Sequence, residues 1–194
     1  MSPKDQLLQF IAKNKFISIH EAKAQDFSPM LLSRMVAKEE LFLTERGIYT
    51  VSLDWLTDPL QKYLPVATLY PKAIISGISA LTYYDLTDEE ERKIGITIPI
   101  DQVVKNPHYQ ATRAQGLAYS LGVQTFRFGR RQVRIYDIEK TVVDACKYQT
   151  EEVAYKVLKG YLRRKDKNIR RLCEISEKLK KPLEDKIRFF LAEE

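Results

Sequence analysis

Cysteine, histidine and tryptophan are scarce in this chain of 194 residues, which holds two, two and one of them. Cys146 and Cys173 lie far apart, so neither a Cys-x-x-Cys redox pair nor a cysteine zinc site is available. Both are expected as reduced, buried thiols that pack like small apolar side chains. His20 and His108 are isolated and are expected as surface or capping residues. The seven glycines never gather into a phosphate-cradling loop, and no Gly-x-Ser-x-Gly or His-Glu-x-x-His stretch occurs. The best acidic group is Asp137 and Glu139 beside Lys140 at a strand end, and its spacing matches no usual nuclease signature. The expectation is therefore a protein without catalytic residues, bound metal or cofactor, and not an enzyme. No apolar run approaches the ~20 residues of a membrane helix. The opening residues MSPKDQLLQF have no apolar core, so no secretion signal is expected and the cytoplasm is the expected compartment.

Charge of either sign, by contrast, is plentiful. The net charge is +6, and it is unevenly spread. Residues 1–50 carry 7 Lys/Arg against 6 Asp/Glu, residues 51–126 carry 6 against 8, and residues 127–194 carry 19 against 12. The basic excess thus sits in the last third, where it either adds phosphate affinity or solubilises a helical surface.

The stretch Phe16–Val51 carries the sharpest pattern. Ser18 with Glu21 three residues later forms a capping box ahead of a short helix at His20–Ala24. Ser28 followed by Pro29 opens a second helix, in which Leu31, Leu32, Met35 and Val36 recur at helical spacing and face a small core. Met30, Ser33, Arg34, Ala37 and Lys38 fall on the opposite side. Glu45-Arg46-Gly47 then turns between the apolar runs Leu41–Thr44 and Ile48–Val51, with Gly47 supplying a positive φ and Arg46 at the tip. With an opening helix over residues 4–14 this order reads as a winged helix-turn-helix, an architecture that lays one helix in the DNA major groove with a hairpin near the backbone. Ser28, Met30, Ser33, Arg34, Lys38 and Arg46 are its candidate DNA contacts.

Beyond it the chain divides into a DNA-binding domain over residues 1–53, a connecting segment over 54–70 and a second domain over 71–194. The second domain is expected to be α+β. Ala73–Tyr84 reads as a helix with Ser76 as a possible cap, Ile94–Ile100 as a strand, and Gly122–Phe128 with Gln132–Tyr136 as a hairpin. Helices follow from Asp137, Thr150 and Asn168 as caps, and a last one spans Leu183–Leu191. Arg127, Arg130, Arg131 and Arg134 cluster across the hairpin and could meet phosphates. Arg163, Arg164, Lys165, Lys167, Arg170 and Arg171 gather at a helix junction, as solvated helix ends do.

Taken in order, several segments resemble the AbiEi family of antitoxins of type IV toxin–antitoxin, or abortive-infection, systems. SPMLLSRMVAKEELFLTERGIYTV resembles the family's recognition helix and wing, with Gly47-Ile48-Tyr49 at its end. ISGISALTYYDL over 75–86, KIGITIPI, and VRIYDIEKTVVDAC with Thr141-Val142-Val143-Asp144 resemble the segments that follow. The likeness covers about residues 5–190. It implies a winged helix that represses its own operon by binding inverted repeats in promoter DNA. It also implies a C-terminal domain that counters a nucleotidyltransferase-like toxin, as phage defence, without a stable toxin complex. A plain winged-helix transcriptional repressor without antitoxin activity fits the same residues.

Overall fold

The structure is a computed structural model that describes residues 1–45, 47–52, 58–128, 131–185 and 187–188. It is a mixed α+β protein with two sheets, and it divides into two compact units, Met1–Pro71 and Lys72–Glu194.

In the first unit the first three helices each begin on a side-chain cap. Helix α1 (Pro3–Asn14) starts at Ser2, reciprocally bonded with Asp5. After strand β1 (Ile17–Ser18), helix α2 (Ile19–Ala24) starts on the Ser18–Glu21 capping box. Helix α3 (Pro29–Ala37) starts at Ser28, whose hydroxyl accepts the Leu31 N–H at 3.2 Å. Two short strands complete a three-stranded antiparallel sheet, β2 (Phe42–Glu45) and β3 (Ile48–Thr50), in the order β1-β3-β2. Gly47 between them has φ +85°, as the tight turn demands, and its carbonyl accepts the Ile19 N–H at 2.7 Å. The register shifts between Leu43 and Glu45, which marks a bulge in the hairpin. Leu7, Ile11, Ile17, Ala22, Leu32 and Leu41 form the core of this unit, with Phe10 set edge-on to Phe27. Replacing Ser28 by alanine frees one helix-end N–H and lowers stability by about 1 kcal/mol, to be read by urea unfolding.

The connecting segment, read from sequence as partly helical and packed by its aromatics, holds such helix among its described residues. A 3-10 turn (Gln61–Tyr63) runs into helix α4 (Leu64–Leu69), and Leu60, Tyr63, Leu64 and Val66 are buried. These residues fall within the first compact unit.

The second unit is built on five strands, β4 (Ile74–Ile75), β5 (Ile94–Pro99), β6 (Tyr109–Ala114), β7 (Val123–Phe128) and β8 (Arg131–Tyr136). Their order is β6-β5-β4-β8-β7. The pairs β4/β5 and β7/β8 are antiparallel, while β4/β8 and β5/β6 are parallel. The helix expected over Ala73–Tyr84 is shorter, because Ile74 and Ile75 are drawn into the middle of the sheet and helix α5 begins only at Gly77 (Gly77–Tyr83). Ser76 holds the cap position, yet its hydroxyl makes no capping bond and instead accepts from Thr97 Oγ1 at 2.9 Å. Strand β6 and the short helix α6 (Leu117–Ser120) were not foreseen.

Helices α7 (Ile138–Tyr148), α8 (Glu151–Leu162) and α9 (Ile169–Lys178) begin at Asp137, Thr150 and Asn168, each capped by the expected side chain. Val142, Val143, Val157, Leu158, Leu172 and Ile175 interleave between them and meet Leu81 of α5. The last expected helix, Leu183–Leu191, reaches past the described residues, and within them Ile187 N–H donates to the Leu183 carbonyl at 2.9 Å. The two cysteines are half-buried at the edge of this core, so they are less enclosed than their apolar neighbours suggested. Burial pushes the Cys173 thiol up.

Candidate nucleic-acid interface

Helix α3 presents two contrasting sides. Leu31, Leu32 and Met35 point inward and are buried, Leu32 completely. Met30, Ser33, Arg34, Ala37 and Lys38 are all exposed, and their three- and four-residue spacing makes them one stripe along the helix. Met30 is 80% exposed, an unusual setting for so apolar a side chain, and Ser28 is exposed at the head of the same stripe. Lys4 holds Glu40 in an ion pair at 2.6 Å, and that pair keeps the Glu40 carboxyl below its usual range. Arg34 and Lys38 have no hydrogen-bond or ion-pair partner among the described residues, so both are free to meet an anion. Five of the six expected contacts thus share one surface, and Arg46 lies outside the described residues.

The adjoining strand adds two residues that the sequence did not single out. Phe42 and Leu43 are 52% and 51% exposed, while Leu41 just before them is buried. Three consecutive apolar residues entering a strand were the available signal, because alternation cannot turn all three into one core.

The arginine cluster of the hairpin does not assemble. In the β7/β8 register Arg127 sits opposite Gln132 and Thr125 opposite Arg134, which sets Arg127 and Arg134 on one face. Phe128 sits opposite Arg131, which sets Arg131 on the other. Arg134 is also committed internally. Its guanidinium donates to the Lys72 carbonyl at 3.2 Å and to the Tyr119 hydroxyl at 3.1 Å, and lies against the Tyr119 ring. Arg127 is exposed, Arg131 is half-buried, and Arg130 lies outside the described residues.

In the basic helix junction Arg163, Lys165, Lys167, Arg170 and Arg171 are exposed, as solvated helix ends are, while several of its cations also bind within the unit. Arg164 binds Asp166 through two nitrogens and donates to the Tyr84 carbonyl, and Lys167 donates to the Leu162 carbonyl at 2.5 Å. Arg170 pairs with Glu174, and Arg171 pairs with Asp137 and reaches Glu139 at 3.7 Å. Asp137 is 2% exposed and also accepts the Lys140 N–H at 2.8 Å, while Glu139 accepts from the Tyr161 hydroxyl at 2.9 Å. The acidic group read from sequence is therefore spent on capping and pairing. Among the described residues no three His, Cys, Asp or Glu side chains converge as metal ligands, and no helix is long and apolar enough to cross a membrane. His20 and His108 are both exposed.

No family model matches this chain, and no match is found among curated proteins.

Proposed function

We propose that the N-terminal unit is a winged-helix DNA-binding module, with α3 as recognition helix and the β2–β3 hairpin as wing. In this reading the whole chain is an autoregulatory antitoxin. It represses its own operon through inverted repeats in the promoter and counters a nucleotidyltransferase-like toxin without a stable toxin complex. The observation that carries the DNA-binding half is the outward stripe of α3, where Ser33, Arg34 and Lys38 are exposed and the two cations are unpaired among the described residues. Hydroxyl and small side chains suit base edges, and free cations at the far end of the helix suit phosphates. The antitoxin half is supported by the ordered likeness of segments 28–51, 75–86, 93–100 and 133–146 to AbiEi proteins.

The test is fluorescence anisotropy with duplex from the chain's own promoter against a scrambled duplex of equal length. Affinity for the promoter falls steeply as salt rises, because each neutralised phosphate releases counterions. Arg34→Ala weakens promoter binding by about 1–3 kcal/mol, or about five- to 150-fold, with an unchanged unfolding curve. Equal binding of both duplexes, or an Arg34→Ala protein that binds like the parent, ends the DNA-binding reading. The antitoxin half is read separately, by inducing the neighbouring toxin gene from an unrelated promoter. Growth is then rescued by the parent chain and by the Arg34→Ala variant alike, since rescue does not run through repression. Failure of both to rescue leaves a plain repressor.

A further inference from the structure

In the C-terminal unit a groove of about 550 Å³ opens between the sheet and helices α5 and α7. One wall is the face of β5 and β6, where the register places Gly95 beside Gln110 and Thr97 beside Thr112. That wall is flat because its side chains are small. Gly95 has no room for anything larger, since a Cβ there would lie 2.4 Å from the Ser76 carbonyl oxygen. The tight approach is held by Ser76 N–H to the Gly95 carbonyl at 3.0 Å and by Gly95 N–H to Ser79 Oγ at 2.7 Å. The opposite wall is hydrocarbon, from Ile78, Leu81 and Ala145, with Thr141 and Asp144 set into it.

Two polar groups of this groove keep hydrogen-bonding capacity to spare. Ser76 is 93% buried, leaves its helix uncapped and shares a hydrogen bond with Thr97 at 2.9 Å, so its hydroxyl, which can both donate and accept, keeps capacity for one more. Asp144 gives one oxygen to Lys140, itself 2% exposed and held over the Tyr136 ring at 4.2 Å. Its other oxygen has no hydrogen bond among the described residues. A buried hydroxyl and a half-buried carboxylate oxygen in one slot can each take a further hydrogen bond from a ligand. Burial raises the Asp144 carboxyl above its usual range despite the neighbouring ammonium.

The lining narrows the ligand. A bare cation would find Asp144 already paired with Lys140, and a bare anion would find no positive side chain inside. A flat slot with one polar-edged wall and one hydrocarbon wall takes a planar heterocycle that carries adjacent donor and acceptor atoms. At the mouth stand Lys93, exposed, and Arg92, exposed and paired with Glu90 at 3.0 Å. The volume lies within the range of small-molecule sites.

We propose that this groove is a binding site for a nucleoside phosphate, with the base between the threonine face and Ile78, its edge on Ser76 and Asp144, and the phosphates toward Lys93 and Arg92. The site belongs to the C-terminal unit and stands or falls independently of DNA binding by α3.

The experiment is calorimetric titration of the full chain with ATP, GTP, CTP and UTP, with the matching nucleosides and with tripolyphosphate. At least one triphosphate binds with a Kd below about 1 mM, and about ten-fold or more tighter than both its nucleoside and tripolyphosphate. Ser76→Ala and Asp144→Asn each weaken it about ten-fold, the loss of one hydrogen bond to a completed buried group. Lys93→Ala lowers the affinity for the nucleotide toward that for the nucleoside. Absence of binding by any nucleotide overturns the proposal, as does tripolyphosphate binding as well as the best nucleotide, which shows only a cationic rim. Unchanged affinity in Ser76→Ala overturns it too, and that variant decides alone if Asp144→Asn, which strands the buried Lys140, does not fold.

Discussion

Asp137→Ala lowers the unfolding free energy of the C-terminal unit by about 3 kcal/mol. Three contacts meet at this one residue, two of them on its carboxylate. Its Oδ1 accepts the Lys140 N–H at 2.8 Å and so closes the first turn of α7. Its Oδ2 takes the guanidinium of Arg171 from α9, 34 residues away. Its backbone N–H donates to the Gly122 carbonyl at 2.6 Å and is kept in the variant. The lost cap accounts for about 1 kcal/mol. The rest follows from a nearly buried acid leaving its cation unpaired, discounted because the Arg171 side chain is 46% exposed. Arg171 then keeps only Glu139, at 3.7 Å, whose carboxylate is already shared with Tyr161. Tyr161 in turn accepts the Asn168 N–H at 2.7 Å, so the heads of α7 and α9 and the end of α8 hang on one polar network. Asp137→Asn separates the contributions, since an amide oxygen still caps while the charge is gone, and it loses about half as much. Urea unfolding at constant m-value reads both. A loss below about 1 kcal/mol in the alanine variant would mean that the Arg171 pair adds nothing beyond the cap.

That network shows where sequence reading succeeds and where it stops. The caps at Ser18, Ser28, Asp137, Thr150 and Asn168 were legible because each bond closes within three residues. The two sides of α3 were legible because a 3.6-residue period needs no partner to be recognised. Ser76 was read as a side-chain cap, but its hydroxyl is claimed by Thr97 from a strand 21 residues on. Ile74 and Ile75 sit in a helix-like run and become strand only because β5 and β8 flank them. Tyr109–Ala114 has no strong alternation, and it is ordered by parallel pairing with β5 along its whole length. The hairpin arginines were adjacent in sequence, yet register splits them and Lys72 and Tyr119 capture Arg134. The groove was invisible for the same reason. Ser76, Thr97, Thr112 and Asp144 come from four separate segments, and no spacing links them.

Leu32→Ala costs the N-terminal unit about 3 kcal/mol, within the 2–5 kcal/mol of buried leucine truncations. Leu32 is fully buried among Leu7, Ile11, Ile17 and Leu41, which come from α1, β1 and the start of the hairpin. The backbone of capped helices and a hydrogen-bonded three-stranded sheet leaves little freedom to collapse onto the missing atoms, so the cavity persists. Arg34, two residues on, is exposed and unpaired among the described residues, and its truncation stays within about 0.5 kcal/mol. The pair of variants therefore sorts two ways of losing the DNA binding proposed for α3. Leu32→Ala binds poorly when warm, because α3 is less often in place, and recovers near the temperature of maximum stability, about 10–20 °C. Arg34→Ala is folded at every temperature and does not recover, because what it lacks is the contact itself. Anisotropy titrations at about 15 °C and 37 °C, alongside unfolding curves, read both variants. If Arg34→Ala destabilises as much as Leu32→Ala, the stripe of α3 serves the protein's own packing and is not the face that meets DNA.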